Sequence, residues 1–112
     1  MTQTLDDEDH KLVVLARGAR ARAEVASGAA VRDDDGRTYA GADVETRSLQ
    51  LTGLQVALAT ALGSGARGFE AAVVVGGRAD DPGLETLREI SPSAPLIVAD
   101  GKGAVVDRVE ST

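Results

Sequence analysis

Asp43 and Glu45 are the pair in this sequence best spaced for chemistry. On an extended chain, residues i and i+2 point to the same side, so the two carboxylates could hold one polar ligand between them. Taken alone, such acids are ordinarily solvated surface groups. Asp33, Asp34 and Asp35 could suggest a cation site, but they crowd a hairpin tip, where Asp is a routine turn residue. His10, the only histidine, lies beside an acidic cluster in a helical stretch and reads as a solvated side chain, because a metal needs several convergent ligands.

Two glycine motifs invite a phosphate reading. GSGARG, residues 63 to 68, matches G-x-G-x-x-G but follows a helix and opens a strand, the reverse of a dinucleotide fingerprint, so it reads as a helix cap and tight connection. VVVGGRADDPG has the better order, strand then Gly-Gly then helix. Asp80 and Asp81, however, occupy the helix start where an anion would bind, and no Lys follows, which leaves a plain loop.

The elements that must position these residues follow from periodicity. Thr4 and Asp7 have capping-box-like spacing, and an acidic first turn suits a helix from about Leu5 to Val25, with Leu12, Leu15, Ala16, Ala19 and Ala23 recurring at helical spacing. Ala29 to Arg32 and Arg37 to Val44 form a hairpin about Asp35-Gly36. Ser48 to Leu62 is predicted to be a second helix, ended by Gly63 or Gly65 and apolar or small almost all round. FEAAVVV, residues 69 to 75, is a continuous apolar run typical of a strand covered on both faces. A third helix starts at Asp81-Pro82, with Pro in its first turn, and ends near Ile90. Pro95 to Ala99 and Gly103 to Val109 are the last strands. The order α-β-β-α-β-α-β-β predicts an α/β fold, a three-layer α-β-α arrangement around a mixed sheet of about five strands. With 112 residues, the whole chain 1–112 is expected to form one domain.

Composition narrows the function classes. The chain has no cysteine, so disulfides, thiolate catalysis and cysteine-held metals are excluded. Lys and Arg number 12 against 18 Asp and Glu, and a net charge of −6 disfavours non-specific nucleic-acid binding. The amino-terminal residues lack the basic and apolar regions of a signal peptide, and no apolar run approaches the ~20 residues of a membrane span. No membrane association is expected, and the expected location is the cytoplasm.

Residues 28 to 48, GAAVRDDDGRTYAGADVETRS, resemble the small cytidine deaminases, in which a V-G-A-A strand, a D-G turn and a tyrosine-bearing return strand lead to N-x-E-N-x-S-Y. Gly28, Ala29, Ala30, Asp35, Gly36, Tyr39, Gly41, Glu45 and Ser48 carry the match, and the order of elements extends it over nearly the whole chain. The resemblance implies a zinc-activated water and a proton-shuttling glutamate. In that family, C-A-E at the start of the second helix and P-C-G-x-C at the start of the third supply the metal ligands and the acid. Here C-A-E falls on Thr52-Gly53-Leu54 or Leu54-Gln55-Val56, and P-C-G-x-C falls around Pro82 to Leu87, with Gly83, Thr86 and Leu87 at the degenerate positions. Neither a ligand nor an acid remains, so no metal and no cofactor is expected.

The substrate side is partly kept. Glu45 matches the family's ribose-binding acid, Asp43 replaces the Asn, which could also donate, and Val25 or its neighbour replaces an aromatic wall. The resemblance therefore implies a pseudoenzyme with an interaction or regulatory role, or a nucleoside sensor using Asp43 and Glu45, ahead of an active deaminase. It also implies a dimer or tetramer, which the small-residue second helix would suit, and an unidentified protein partner. Actinobacterial relatives of this kind tend to be encoded beside ribosome-assembly factors, which extends the implied role to ribosome assembly. The space once held by metal and thiolates is expected to be filled by Leu54, Val56 or Leu87.

Overall fold

A computed structural model describes residues 5–110. The first helix, α1, runs Asp7–Ala23; Asp6 caps it by accepting from the Asp9 N–H at 2.7 Å. The expected Thr4 cap lies outside the described residues. The helix closes two residues earlier than periodicity suggested, because Glu24 turns into the left-handed region at φ 56°. β1 (Gly28–Asp33) and β2 (Thr38–Ala42) are the predicted hairpin, and β5 (Phe69–Val75), β6 (Leu96–Ala99) and β7 (Val105–Val109) complete a sheet in the order β2-β1-β5-β6-β7. Among the described strands of this sheet, only β5 and β6 pair in parallel.

Alternation along the strands sorts the core into two halves, as period-2 geometry requires. Ala30, Val73, Val75 and Ile97 meet Leu12, Val13 and Ala16 of α1 on one face. Ala29, Val31, Val74 and Leu96 meet Leu54, Leu58 and Leu87 on the other. Those three leucines belong to α2 (Gly53–Gly63) and α3 (Gly83–Ile90), and each is at most 1% exposed. The result is the expected three-layer α-β-α fold around a mixed five-stranded sheet.

The second helix departs from the predicted start. Residues 44–51, expected to lead straight into a helix from Ser48, form a two-stranded ladder, β3 (Val44–Glu45) against β4 (Gln50–Leu51). The Thr46 hydroxyl accepts from the Leu49 N–H at 2.9 Å and so stabilises a turn at the point where a helix was expected. The helix begins only after Thr52, whose side chain accepts from the Gln55 N–H while the Gln55 side chain accepts from the Thr52 N–H, a complete capping box. The third helix likewise starts later than predicted: Pro82 is its cap residue rather than part of its first turn.

Candidate functional site

Glycines set how closely α2 approaches the sheet. A Cβ on Gly41 would lie 2.7 Å from the Ala57 nitrogen, and one on Gly53 would lie 3.1 Å from the Gly28 Cα. With no side chains between them, the start of α2 settles directly onto β1 and β2. This brings Gly53 to the carboxylate of Asp43, at the end of β2.

Asp43 is consumed there. Its Oδ1 accepts from the Ser27 hydroxyl at 2.6 Å and the Gly53 N–H at 2.8 Å, while its Oδ2 accepts from the Ser27 N–H at 3.1 Å. The side chain thus ties the α1–β1 connection to the amino end of α2, where a carboxylate is favoured by the free N–H groups and the helix dipole. Asp81 does the same for α3: its Oδ1 accepts from the Gly83 N–H at 2.7 Å and from the Thr52 hydroxyl at 2.8 Å, so one carboxylate links the starts of α2 and α3. The sequence places Asp81 at the start of the third helix and as an obstacle to an anion, without assigning its side chain as the cap. The D-P-G spacing of a side chain bonding two residues ahead could have identified it as a cap.

Above these closed helix starts lies an open cleft of about 550 Å³. Ala26 and Ser27 from the α1–β1 turn, Asp43 to Glu45, and Gln50 to Thr52 form one side with Gln55; the loop from Gly76 to Pro82 forms the other. Four carboxylates, Asp43, Glu45, Asp80 and Asp81, border it against a single cation, Arg78, which pairs with Asp80 at 3.1 Å on the rim.

The structure brings Asp43 and Glu45 together on this cleft, though in different roles: Asp43 is held by the protein, and Glu45 is exposed. Of the degenerate zinc-site positions, Thr52 and Gln55 line the cleft. Gly53, Leu54, Gly83 and Leu87 are buried, and Val56 and Thr86 are half-buried. The expected filling is realised in one place only. A Cβ on Gly83 would sit 2.7 Å from the Leu54 Cγ, so Leu54 occupies the junction of the two helices. Leu87 lies deeper in the core and the cleft itself stays open, which corrects the expectation that the old site is filled. Of Val25 and its neighbour, expected in place of the aromatic wall, it is the neighbour, Ala26, that lines the cleft, together with Ser27.

The zinc implied by the resemblance does not fit these residues. Leu54 closes the junction, Thr52 and Gln55 are engaged in the capping box, and Asp81 already accepts two hydrogen bonds. His10 is exposed on α1, on the opposite face of the sheet, and no group of three or more His, Cys, Asp or Glu among the described residues could hold a metal ion.

The Asp33–Asp35 turn is also more structured than a solvated tip. Asp33 is 1% exposed and accepts from the Asp35 and Arg37 N–H groups and the Tyr39 hydroxyl. Burial opposes its ionisation, but those donors and the Arg37 charge together hold its carboxyl below the usual range. The carboxylate closes the β1–β2 turn.

Residues 5–103 match the family model described as cytidine deaminase-like. Among solved structures, the cytidine deaminase from Burkholderia pseudomallei is 26% identical over 90% of this chain and 91% of its own, with a TM-score of 0.76. The cytidine deaminase from Mycobacterium leprae is 20% identical over 90% and 93%, at 0.71, and that from Mycobacterium tuberculosis is 24% identical over 85% of each chain, at 0.69. No curated protein matches the sequence significantly.

Proposed function

Since the chain belongs to the cytidine deaminase-like family, we propose that it is a cytoplasmic, non-catalytic member that works by binding, with a nucleoside-sized polar ligand in the cleft between the starts of α2 and α3. The observation that carries this reading is the division of the old site into two levels. Below, Leu54 against Gly83 and Thr52 against Asp81 join the helices without a metal donor or a proton-shuttling acid. Above, about 550 Å³ stays open, within the range of ordinary ligand pockets. Glu45 offers an exposed acceptor for hydroxyl groups, and the Asp43 oxygens already hold three donors, so Glu45 is the residue on which ligand affinity depends.

Thermal unfolding with millimolar cytidine, uridine and their phosphates tests the reading. A ligand at 100-fold its dissociation constant stabilises by ~2.7 kcal/mol, or roughly 10 °C. The shift is expected in the wild type and lost in Glu45→Ala; its absence with every ligand would overturn the binding role. Stoichiometric zinc in the purified protein, with ammonia released from cytidine, would overturn the non-catalytic one.

A second reading, an interaction module that assembles with itself and with a partner such as a ribosome-assembly factor, is favoured by the outward face of α2. That helix has no charged residue, and its outer positions Ala59 and Thr60 are exposed. Light scattering that reports a dimer or tetramer at micromolar concentration would support it; a monomer would remove it. No helix among the described residues is long and apolar enough to cross a membrane.

A further inference from the structure

Cations are the minority charge in this chain, yet three of them gather at the carboxyl ends of the parallel strands β5 and β6. Arg17 and Arg20, one turn apart on α1, both leave the helix to lie against the turn after β6. A Cβ on Gly103 would meet the Arg17 Cδ at 3.1 Å and its Nη1 at 3.5 Å, and one on Gly101 would meet the Arg20 Nη1 at 3.1 Å. Lys102 stands exposed between those two glycines. The one acid of that turn, Asp100, turns Oδ1 to its own backbone, accepting from the Lys102 N–H at 2.9 Å and the Ala104 N–H at 3.0 Å, and the Lys102 charge also favours its ionised form. None of the ion pairs among the described residues includes Arg17, Arg20 or Lys102.

This cluster adjoins the cleft. The Arg20 Nε donates to the Ala26 carbonyl at 2.9 Å, and Ala26 and Gly76 both line the cleft wall. A Cβ on Gly76 would fall 2.4 Å from the Ala26 oxygen and 2.9 Å from the Arg20 Nε, and its φ of 80° also calls for glycine. The bare backbone at 76 is therefore what lets the guanidinium come up directly behind the cleft lining. A helix-end arginine commonly offsets the dipole of its own helix, and the Nε bond just past the end of α1 does so. That role leaves both Nη groups of Arg20 and all of Arg17 to act on something else, and Lys102, which faces the charge of Asp100 alone, adds to them. Ligands of α/β sheets bind outside the carboxyl ends of parallel strands, where these groups lie.

The charges are laid out in two zones. An acceptor that suits hydroxyl groups, the exposed Glu45, borders the α2 side, while Asp80 is held by Arg78; cations without an ion pair among the described residues lie beyond Ala26 and Gly76 on the α1 side. We propose that Arg17, Arg20 and Lys102 form a phosphate subsite at the edge of the cleft, so that its ligand is a nucleoside phosphate rather than a free nucleoside. This rests on the reading of the cleft as a ligand site, and the phosphate enters from the α1 side rather than at the helix starts, which Asp43 and Asp81 already occupy.

The test is calorimetric titration at fixed ionic strength with cytidine, uridine, their monophosphates, and pyrophosphate alone, on the wild type and on Arg17→Gln, Lys102→Gln and Arg20→Gln. Arg17 and Lys102 make no hydrogen bond through their side chains among the described residues, so their variants keep the subsite testable if Arg20→Gln fails to fold. The expected result is that the monophosphates bind about tenfold or more tightly than the nucleosides, and that each substitution removes most of that advantage while leaving nucleoside affinity in place. Equal affinity for nucleosides and monophosphates would overturn the subsite and leave the nucleoside reading standing. Pyrophosphate binding that disappears in Arg17→Gln, with no nucleoside affinity, would uphold the subsite and overturn the nucleoside reading. No binding by any probe would overturn both.

Discussion

Replacing Asp43 with Ala separates a ligand-binding acid from a structural one. In the structure its carboxylate takes three donors, the Ser27 N–H, the Ser27 hydroxyl and the Gly53 N–H, and both Ser27 and Gly53 are buried. Truncation strands two backbone N–H groups, each at about 1–3 kcal/mol when left without a partner. The cleft lies alongside, and water entering from it recovers part of that loss, so the net cost is about 2–4 kcal/mol. At roughly 4 °C per kcal/mol for a domain of this size, the melting temperature should fall by about 8–16 °C. Asp43→Asn should also destabilise, because its amide group would face a donor at one of the two oxygens. Differential scanning calorimetry of both variants, with Glu45→Ala as an exposed-site control, is the assay. Glu45→Ala should stay within about 0.5 kcal/mol of the wild type. If Asp43→Ala melts within 2 °C of the wild type, a margin set at about 0.5 kcal/mol, the clamp contributes nothing and Asp43 belongs with the ligand residues instead.

Leu54→Ala should cost about 2–5 kcal/mol as a fully buried core truncation, and Gly83→Ala about 1–3 kcal/mol through its clash with Leu54; the double variant should lose less than the sum, as measured by urea unfolding, whereas strict additivity would show that the two do not share one space. Stability should fall on acidification. Asp33 and Asp100 both titrate below the ordinary 3.8 when folded, against burial in the first case and through the Ala104 and Lys102 N–H groups in the second. Their contribution is therefore present above 3.8 and is lost as pH drops through the lower folded values. Chemical unfolding between pH 6 and pH 2, a window chosen to bracket ordinary carboxylate values, should show a smaller decline in Asp100→Asn than in the wild type, and an identical decline would refute this.

The layers were legible because their signals are local. AAVVV of β5 and LIVA of β6 are continuous apolar runs of the kind a strand covered on both faces buries, and α1 buries Leu12, Ala16 and Ala19 of its expected stripe, although Leu15 and Ala23 are exposed and Val13 is buried in their stead. The start of α2 was misplaced because the leucine spacing from Leu51 through Leu54 extends back to Ser48, while two polar groups decide otherwise. Thr46 holds a turn, and Thr52-x-x-Gln55, a capping box readable in the sequence, sets the first helical residue. The cleft was not legible, since it is made where the ends of β2 and β5 meet the starts of α2 and α3, four elements far apart in the chain.

The same long-range meeting explains why acids were the hardest residues to assign. Every helix start needs acceptors for its free N–H groups. Asp6 serves α1, Asp43 and Thr52 serve α2, and Asp81 serves α3. In a chain without cysteine, the two helix starts that face the cleft are joined by these carboxylates and by Leu54, and the joint is internal and complete. Asp43 and Glu45 look alike in the sequence because i and i+2 say only that they share a side. Which of them the backbone consumes depends on Ser27 and Gly53, each at least eight residues away along the chain. What remains for a ligand is then the surplus: Glu45 on one side of the cleft, and Arg20 behind Gly76 with Arg17 beside Gly103 on the other. The nucleoside phosphate proposed above would set its hydroxyl groups against the first and its negative charge against the second.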